Sequence, residues 1–306
     1  MGTPDFAVPV LAALIEAGHD VVSVWTRPDR PSGRGQRSGA PPAKQFAQER
    51  GLPVFQPSSL KSPEVMLEME SAAPDAIVVA AYGRFIPREV FERPPLGCLN
   101  VHPSLLPRYR GPSPVATALR NGDQTTGVTV MKVIEEMDAG PILASREVAV
   151  AENETTEVLT RRLFELGAEL LVETLPLWER GSLQPLPQND SQATETRLLT
   201  REDGEIDWTR GADEIARQVR AYHPWPGSYT HWKSQLLKIV AAHAGKDPPD
   251  ALPPGTVALL EDGELAIGAG EGVLVVRELQ LEGRRAVTAE AFLAGLPEIL
   301  GARLPS

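Results

Sequence analysis

The apolar positions in the first half of the chain change period repeatedly. Phe6, Val8, Val10, Leu11 and Leu14 fall on one face of a helix, Asp5 stands where its N-cap belongs, and Gly2, Thr3 and Pro4 form a tight turn ahead of it. The octapeptide HDVVSVWT at 19–26 alternates and is β-branched, which predicts a strand. The Arg-, Gly- and Pro-rich TRPDRPSGRGQRSGAPPAK that follows predicts a long loop. Next come an amphipathic stretch at 44–50, a short extended VFQP and a helical stretch at 64–70. DAIVVAAYG is nearly continuous in apolar residues, as in a strand buried on both faces. GCLNVHPS predicts another strand, followed by a loop to Pro114, a helix at 114–120, the strand GVTVMKV, the loop IEEMDAG, the strand PILASREVAV and a long helix at 156–179.

Strands alternating with helices in this way predict an α/β domain, a doubly wound, mostly parallel sheet over residues 1–182. The polar, Pro-containing stretch 183–200 reads as a linker or wrapped connection. Beyond it a helix at 212–221 precedes short alternating runs (GSYTHW, LLKIVAA, GTVALLE, ELAIGA, GVLVVRELQL) separated by Gly, Pro and Asp turns, which predict a small β-barrel over residues 201–306. A turn such as Gly2-Thr3-Pro4 normally leaves a strand. The expectation is therefore that the true start lies upstream of Met1, with a first strand of about six apolar residues.

Composition narrows the class. The single cysteine, Cys98, excludes an internal disulfide and a multi-cysteine zinc site. No apolar tract is long enough to span a bilayer and no signal-like segment leads the chain, so a cytoplasmic protein, off the membrane, is expected. A net charge of -11 argues against broad non-specific nucleic-acid binding. Within that acidic chain, Arg27, Arg30, Arg34, Arg37, Lys44 and Arg50 cluster in and after the first long loop, opposed only by Asp29 and Glu49. Such a cluster is either a solvated loop or a local basic element for contact with phosphate.

The densest group of chemistry-bearing residues lies in GCLNVHPSLLPRYRG. Residues two apart on a strand share a face, so Asn100 and His102 present an amide and an imidazole side by side at the ligand-binding edge of the sheet. Asp138 lies in the loop after a later strand, and loops leaving one edge of a parallel sheet converge. An amide, an imidazole and a carboxylate together suit attack on a carbonyl-type carbon, with the first two holding the developing oxyanion and the third relaying a proton. Competing motifs are absent: there is no GxSxG, HExxH or P-loop, and GRGQRSG lacks dinucleotide-site spacing. GAGEG at 268–272 reads as a hairpin turn. Cys98 reads as a small buried residue, His19, His223, His231 and His243 as structural, and Trp225 between prolines as a domain-packing residue.

Asn-x-His, the SLLPRYRG loop and the later Asp, in this order and spacing, resemble the folate-dependent formyltransferases. The resemblance implies a formyltransferase-like Rossmann variant with an OB-like second domain. It implies 10-formyltetrahydrofolate as formyl donor, no metal, and Asn100, His102 and Asp138 as catalytic residues. It places the folate against Ser104, Leu105, Leu106 and Pro107, the Arg84, Phe85 and Ile86 loop, and Glu136 and Met137. GTPDFAVPVL, TRPDRPSGRG and AYHPWPGSY are similar to members that formylate the methionine on initiator tRNA, over essentially the whole chain. That similarity implies initiator methionyl-tRNA as acceptor, tRNA contacts from Arg34, Arg30, Arg37 and Lys44, and a monomer. The alternative acceptor is an amino-sugar nucleotide. One segment departs from the family: an expected Tyr-Ala-x-Lys-Leu is here Glu195, Thr196, Arg197, Leu198 and Leu199.

Overall fold

The computed structural model describes residues 1–32, 37–245 and 252–306. It divides into two compact units, one of residues 1–114, 125–149 and 160–196, the other of residues 115–124, 150–159 and 197–306. The first contains helices α1 (Val8–Glu16), α2 (Pro42–Gln48), α3 (Pro63–Ala72) and α4 (Arg88–Phe91) and strands β1 (Val24–Trp25), β2 (Arg30–Ser32), β3 (Arg37–Gly39), β4 (Val54–Phe55), β5 (Ile77–Val79), β6 (Cys98–His102), β7 (Thr125–Lys132) and β8 (Ile142–Ala149). Helix α5 (Pro114–Asn121) begins at a unit boundary and helix α6 (Thr156–Glu179) runs across one.

Four strands pair in the order β5-β6-β7-β8, and β1 pairs with β4 beside them. Met1 and Gly2 lie between the two groups: Gly2 N–H donates to Trp25 O (3.0 Å) and Ala80 N–H to Met1 O (2.9 Å). The Met1 amine donates to Val78 O at 2.6 Å, and burial pushes it down from 8.0 to about 6. β1–β4 and β5–β6 are parallel, but β7 runs antiparallel to β6, and β8 to β7. The sheet is thus parallel on one side and antiparallel on the other.

β1 is shorter than the alternation at 19–26 predicts. Its partner β4 is only two residues long, and on the other side residues 19–23 border a cavity of about 300 Å³ instead of a strand. Leu14, Val21, Val22, Met69 and Val78 are among the lining residues. Asp5 also departs from its predicted role: it sits inside a 3-10 turn with no capping bond, and its carboxylate pairs with Arg161 at 2.7 Å. The Arg-rich stretch includes the antiparallel pair β2–β3 rather than being wholly a loop.

β6 packs differently on its two faces. Leu99 and Val101 join Val128, Val130 and the α6 residues Phe164, Ala168 and Leu171 in one core cluster, while Cys98 joins Trp25, Ile77, Val79 and Ile86 in another. α6 approaches β6 closely through Gly167, where a Cβ would stand 2.4 Å from Val101 Cγ1 and 2.9 Å from Val128 Cγ2. This anchoring fixes the strand whose opposite face carries Asn100 and His102.

The second unit is built on β9 (Ser228–Trp232), β10 (Gln235–Gly245), β11 (Val257–Leu259), β12 (Leu265–Gly268), β13 (Val273–Leu281) and β14 (Val287–Thr288), with α7 (Ala212–Ala221) and α8 (Ala289–Gly295). The antiparallel order is β11-β12-β13-β10-β9 with β14 beside β13. β9 and β11 are the ends of this path, so the sheet is a half-barrel. α7 places Ala212, Ile215, Ala216 and Val219 at helical spacing into the same core as Leu237, Ile239 and Leu279. Trp225 is 60% exposed, so it is not the packing residue that its flanking prolines suggested.

Gly167→Ala tests the α6–β6 contact. Alanine gains up to about 1 kcal/mol of helix propensity, but overpacking against two branched side chains costs about 1–3 kcal/mol. The variant is expected to unfold at lower urea concentration than the parent, read by circular dichroism.

Candidate active site

Asn100 and His102 lie on the same face of β6, as the strand period requires. His102 is buried, and its Nε2 stands 2.9 Å from Tyr109 O. A carbonyl only accepts, so Nε2 carries the hydrogen and donates. This contact turns Nδ1 toward Asp138, whose Oδ2 lies 3.6 Å away. Asn100 Nδ2 donates to Asp138 Oδ1 at 3.4 Å, and Gly111 N–H donates to Oδ2 at 2.9 Å. The structure therefore brings together the three residues that the sequence singled out.

The route by which Asp138 arrives differs from the expectation of loops leaving one parallel edge. β7 is antiparallel to β6, with Lys132 opposite Leu99 and Thr129 opposite His102. The loop after β7 thus starts beside Cys98, where Val133 N–H donates to Cys98 O at 2.8 Å, at the far end of β6 from His102. It must fold back along the strand, about 13 Å at 3.3 Å per residue, and then return to Lys132, whose N–H donates to Pro141 O at 3.0 Å. The return is close: a Cβ on Gly140 would stand 1.8 Å from Lys132 O. Asp138 sits at the reversal with φ +50, a left-handed conformation that a non-glycine residue adopts at a cost of about 1–3 kcal/mol.

Residues 186–196 hold this arrangement. Leu186 and Ile142 exchange backbone bonds of 2.8 and 2.9 Å. Gln188 Nε2 donates to the carbonyls of Asp138 and Gly140, both at 2.8 Å, while its Oε1 accepts from Arg110 Nε at 2.9 Å. Arg110 is buried and also pairs with Asp190 at 2.7 Å. Thr194 and Thr196 tie the 107–113 loop: Arg110 N–H donates to Thr194 O (2.8 Å), Thr196 N–H to Arg110 O (2.7 Å) and Ser113 N–H to Thr196 Oγ1 (3.0 Å). Sequence reasoning had no signal for these residues beyond a polar text that reads as a connection.

The residues expected to hold folate fall on segments around this centre. Ser104 is buried, and its hydroxyl donates to Arg108 O at 2.7 Å. Leu106 is buried with its N–H on Thr129 Oγ1, Leu105 is half-buried, and Pro107 O accepts from Thr194 N–H. Arg84 donates to the carbonyls of Pro57 and Ser58, fixing its own loop. Ile86 is buried in the cluster that Val133 packs against, so the 84–86 segment and the start of the 133–141 loop share a core. Phe85 and Met137, though apolar, are 61% and 65% exposed. Glu136 is exposed and lies 3.9 Å from Arg110.

Of the expected tRNA contacts, Arg34 lies outside the described residues, as do the side chains of Arg30 and Arg37. Lys44 is largely covered, bonded to Asp29 (2.8 Å) and Gln56 (2.6 Å) at the base of the Arg-rich segment. Arg197, in the segment that departs from the family pattern, is paired with Asp203, whose carboxyl it helps to hold down at about 2. No group of three or more His, Cys, Asp or Glu residues suited to a metal occurs among the described residues. No helix among them is long and apolar enough to cross a membrane.

Comparison with known proteins converges on one family. Residues 1–175 match Formyl transferase, and residues 198–297 match Formyl transferase, C-terminal domain. The chain is 48% identical to "Methionyl-tRNA formyltransferase" of Roseiflexus sp. (strain RS-1), over 99% of this chain and 94% of that protein. Among solved structures, it is similar to HypX from Aquifex aeolicus in complex with tetrahydrofolic acid (TM-score 0.61, 24% identity, covering 82% of this chain and 43% of that one). It is also similar to an N-formyltransferase from Helicobacter canadensis in complex with folinic acid and dTDP-3-aminofucose (TM-score 0.65, 17% identity, covering 90% and 96%). Both likenesses are of fold.

Cys98 shares its face of β6 with Asn100, but burial pushes its thiol up to about 12. It is expected to resist iodoacetamide at pH 8 in the folded protein and to react only after denaturation, as mass spectrometry would show.

Proposed function

This chain belongs to the formyl transferase family, and from that premise we propose that it transfers the formyl group of 10-formyltetrahydrofolate to the α-amine of methionyl initiator tRNA. The observation that carries the reading is the convergence of Asn100, His102 and Asp138 on one point of β6, in a chain 48% identical to a methionyl-tRNA formyltransferase over nearly its full length.

The two contacts to Asp138 are loose. A 3.4 Å amide bond is at the long limit and 3.6 Å lies beyond it, so the Asn100 amide and His102 Nδ1 remain open to a substrate oxygen. As the amine attacks the formyl carbon, negative charge builds on the carbonyl oxygen. The Asn100 Nδ2–H and, with the ring doubly protonated, the His102 Nδ1–H are the donors for it, while the Asp138 carboxylate accepts the proton that the amine sheds. Collapse of the oxyanion then breaks the bond from the formyl carbon to the folate nitrogen, to which that proton passes, leaving the formamide and tetrahydrofolate. Tyr109 O orients the ring through Nε2 throughout.

The donor fits the segments around this centre. Phe85 and Met137 offer exposed apolar side chains to a flat ring, and Arg84, Ile86, Leu106, Glu136 and the backbone of Ser104, Leu105 and Pro107 supply the remaining proposed contacts. On the acceptor side, Arg30, Arg34 and Arg37 supply phosphate contacts from the Arg-rich segment, and Lys44 braces its base through Asp29. No step calls for a metal.

Formyl transfer to charged initiator tRNA, measured beside an amino-sugar nucleotide, tests the assignment; product from the sugar nucleotide alone would overturn it. His102→Ala and Asp138→Asn are each expected to lower kcat by about 10²–10⁴, with donor binding changed less than about threefold in a fluorescence titration. Arg34→Ala is expected to raise KM for tRNA about tenfold at unchanged kcat, and to reduce the salt slope of tRNA binding by about one.

A further inference from the structure

Asp138 carries its carboxylate from a backbone position that its own loop does not stabilise. The residue is in a left-handed conformation at the tip of a fold-back, and its carboxylate contacts are one bond of ordinary length, to Gly111 N–H at 2.9 Å, and two loose ones. The aim of the carboxylate must therefore come from whatever fixes the backbone on either side of it.

We propose that Gln188 is the positioning residue that fixes the Asp138 loop and so sets the carboxylate's distance to His102; the proposal rests on the assignment of Asp138 to catalysis above. A primary amide has two N–H donors, and Gln188 spends both on this loop, at Asp138 O and Gly140 O, each 2.8 Å. Its carbonyl is held in turn by Arg110 Nε at 2.9 Å, which fixes which end of the amide faces the loop. Arg110 is buried and held along its backbone by Thr194 and Thr196. The next residue, Gly111, supplies the N–H that grips the carboxylate itself. Backbone and side chain of Asp138 are thus referenced to one rigid point, the Arg110-Gly111 peptide. Gln188 is the only described residue whose side chain bonds the backbone on both sides of Ala139. It touches neither Asn100 nor His102 by hydrogen bond, so it acts through Asp138.

Gln188→Glu separates this role from simple bracing. The carboxylate keeps the shape and still accepts from Arg110, but it has no N–H and sets negative charge against two carbonyl oxygens. Expected are a fall in kcat for formyl transfer of about 10²-fold, the scale of a ~1 Å misplacement, and KM values within about twofold of the parent. In an Asp138→Asn background, Gln188→Glu is expected to add less than about threefold, because the partner through which it acts is already disabled.

A readout independent of activity is amide hydrogen exchange at Gly111, whose acceptor is Asp138 Oδ2. It is expected to rise at least about tenfold in Gln188→Glu while Leu99 and Val101 keep their protection. Gly111 exchange that stays at the parent value overturns the proposal whatever the rates do, as do losses that multiply in the double variant. If Leu99 loses protection, the fold has failed, and Gln188→Met, which lacks donors without adding charge, is read against the same criteria. If the parent chain formylates no tRNA, the acceptor assignment falls, and Gly111 exchange alone decides the case of Gln188.

Discussion

Everything at the centre of this protein depends on carrying one carboxylate back across a sheet. The antiparallel pairing of β7 with β6 delivers the chain to Cys98, the wrong end of the strand that bears Asn100 and His102. A parallel strand in that place would have released its loop beside His102. Instead the 133–141 loop runs out to the imidazole and returns to the end of β7, and each leg needs its own restraint. Gly140 allows the return leg to lie against the Lys132 carbonyl, and Gln188 fixes the reversal. The left-handed backbone at Asp138 is tolerable because these contacts over-determine it.

The same logic explains why the chemistry sits on a deeply anchored strand. Val101 is locked under α6 through Gly167, and Leu99 and Val101 are almost wholly buried. The Asn100 and His102 side chains therefore emerge from a backbone with little freedom, while the carboxylate arrives on a restrained but longer tether. An oxyanion needs fixed donors, because reorienting them during the reaction would forfeit their advantage. A proton acceptor tolerates more travel. In the proposed mechanism the rigid groups are the oxyanion donors and the tethered one is the proton acceptor.

Much of the site was legible from residue order. The parity of Asn100 and His102 follows from the strand period alone, and the conjunction of imidazole, amide and carboxylate suits attack on a carbonyl-type carbon before any geometry is known. The long helix at 156–179 and the strands of the half-barrel were equally readable, because long periodic segments carry their own signal. Strand direction was not: nothing in GVTVMKV states whether it runs with or against its neighbour, so the path of Asp138 was misjudged. β1 was overextended because alternation at 19–26 records which residues could pair, whereas pairing also needs a neighbour, and a cavity lies there instead. Gln188 has no signal in the sequence because a residue whose side chain bonds distant backbone carbonyls leaves no local pattern.

The strap at 186–196 also has a consequence for the order in which the protein is made. Gln188 lies 50 residues after Asp138, and at roughly 5–20 residues per second the ribosome takes about 3–10 s to add that stretch. Throughout that interval β6 and the side chains of Asn100, His102 and Asp138 already exist while α6 is still being added, and the fold-back has no clamp. The nascent chain thus passes through a stage in which the three candidate residues are present but the Gln188 contacts to the fold-back are not. Release of the segment through Thr196 ends that stage.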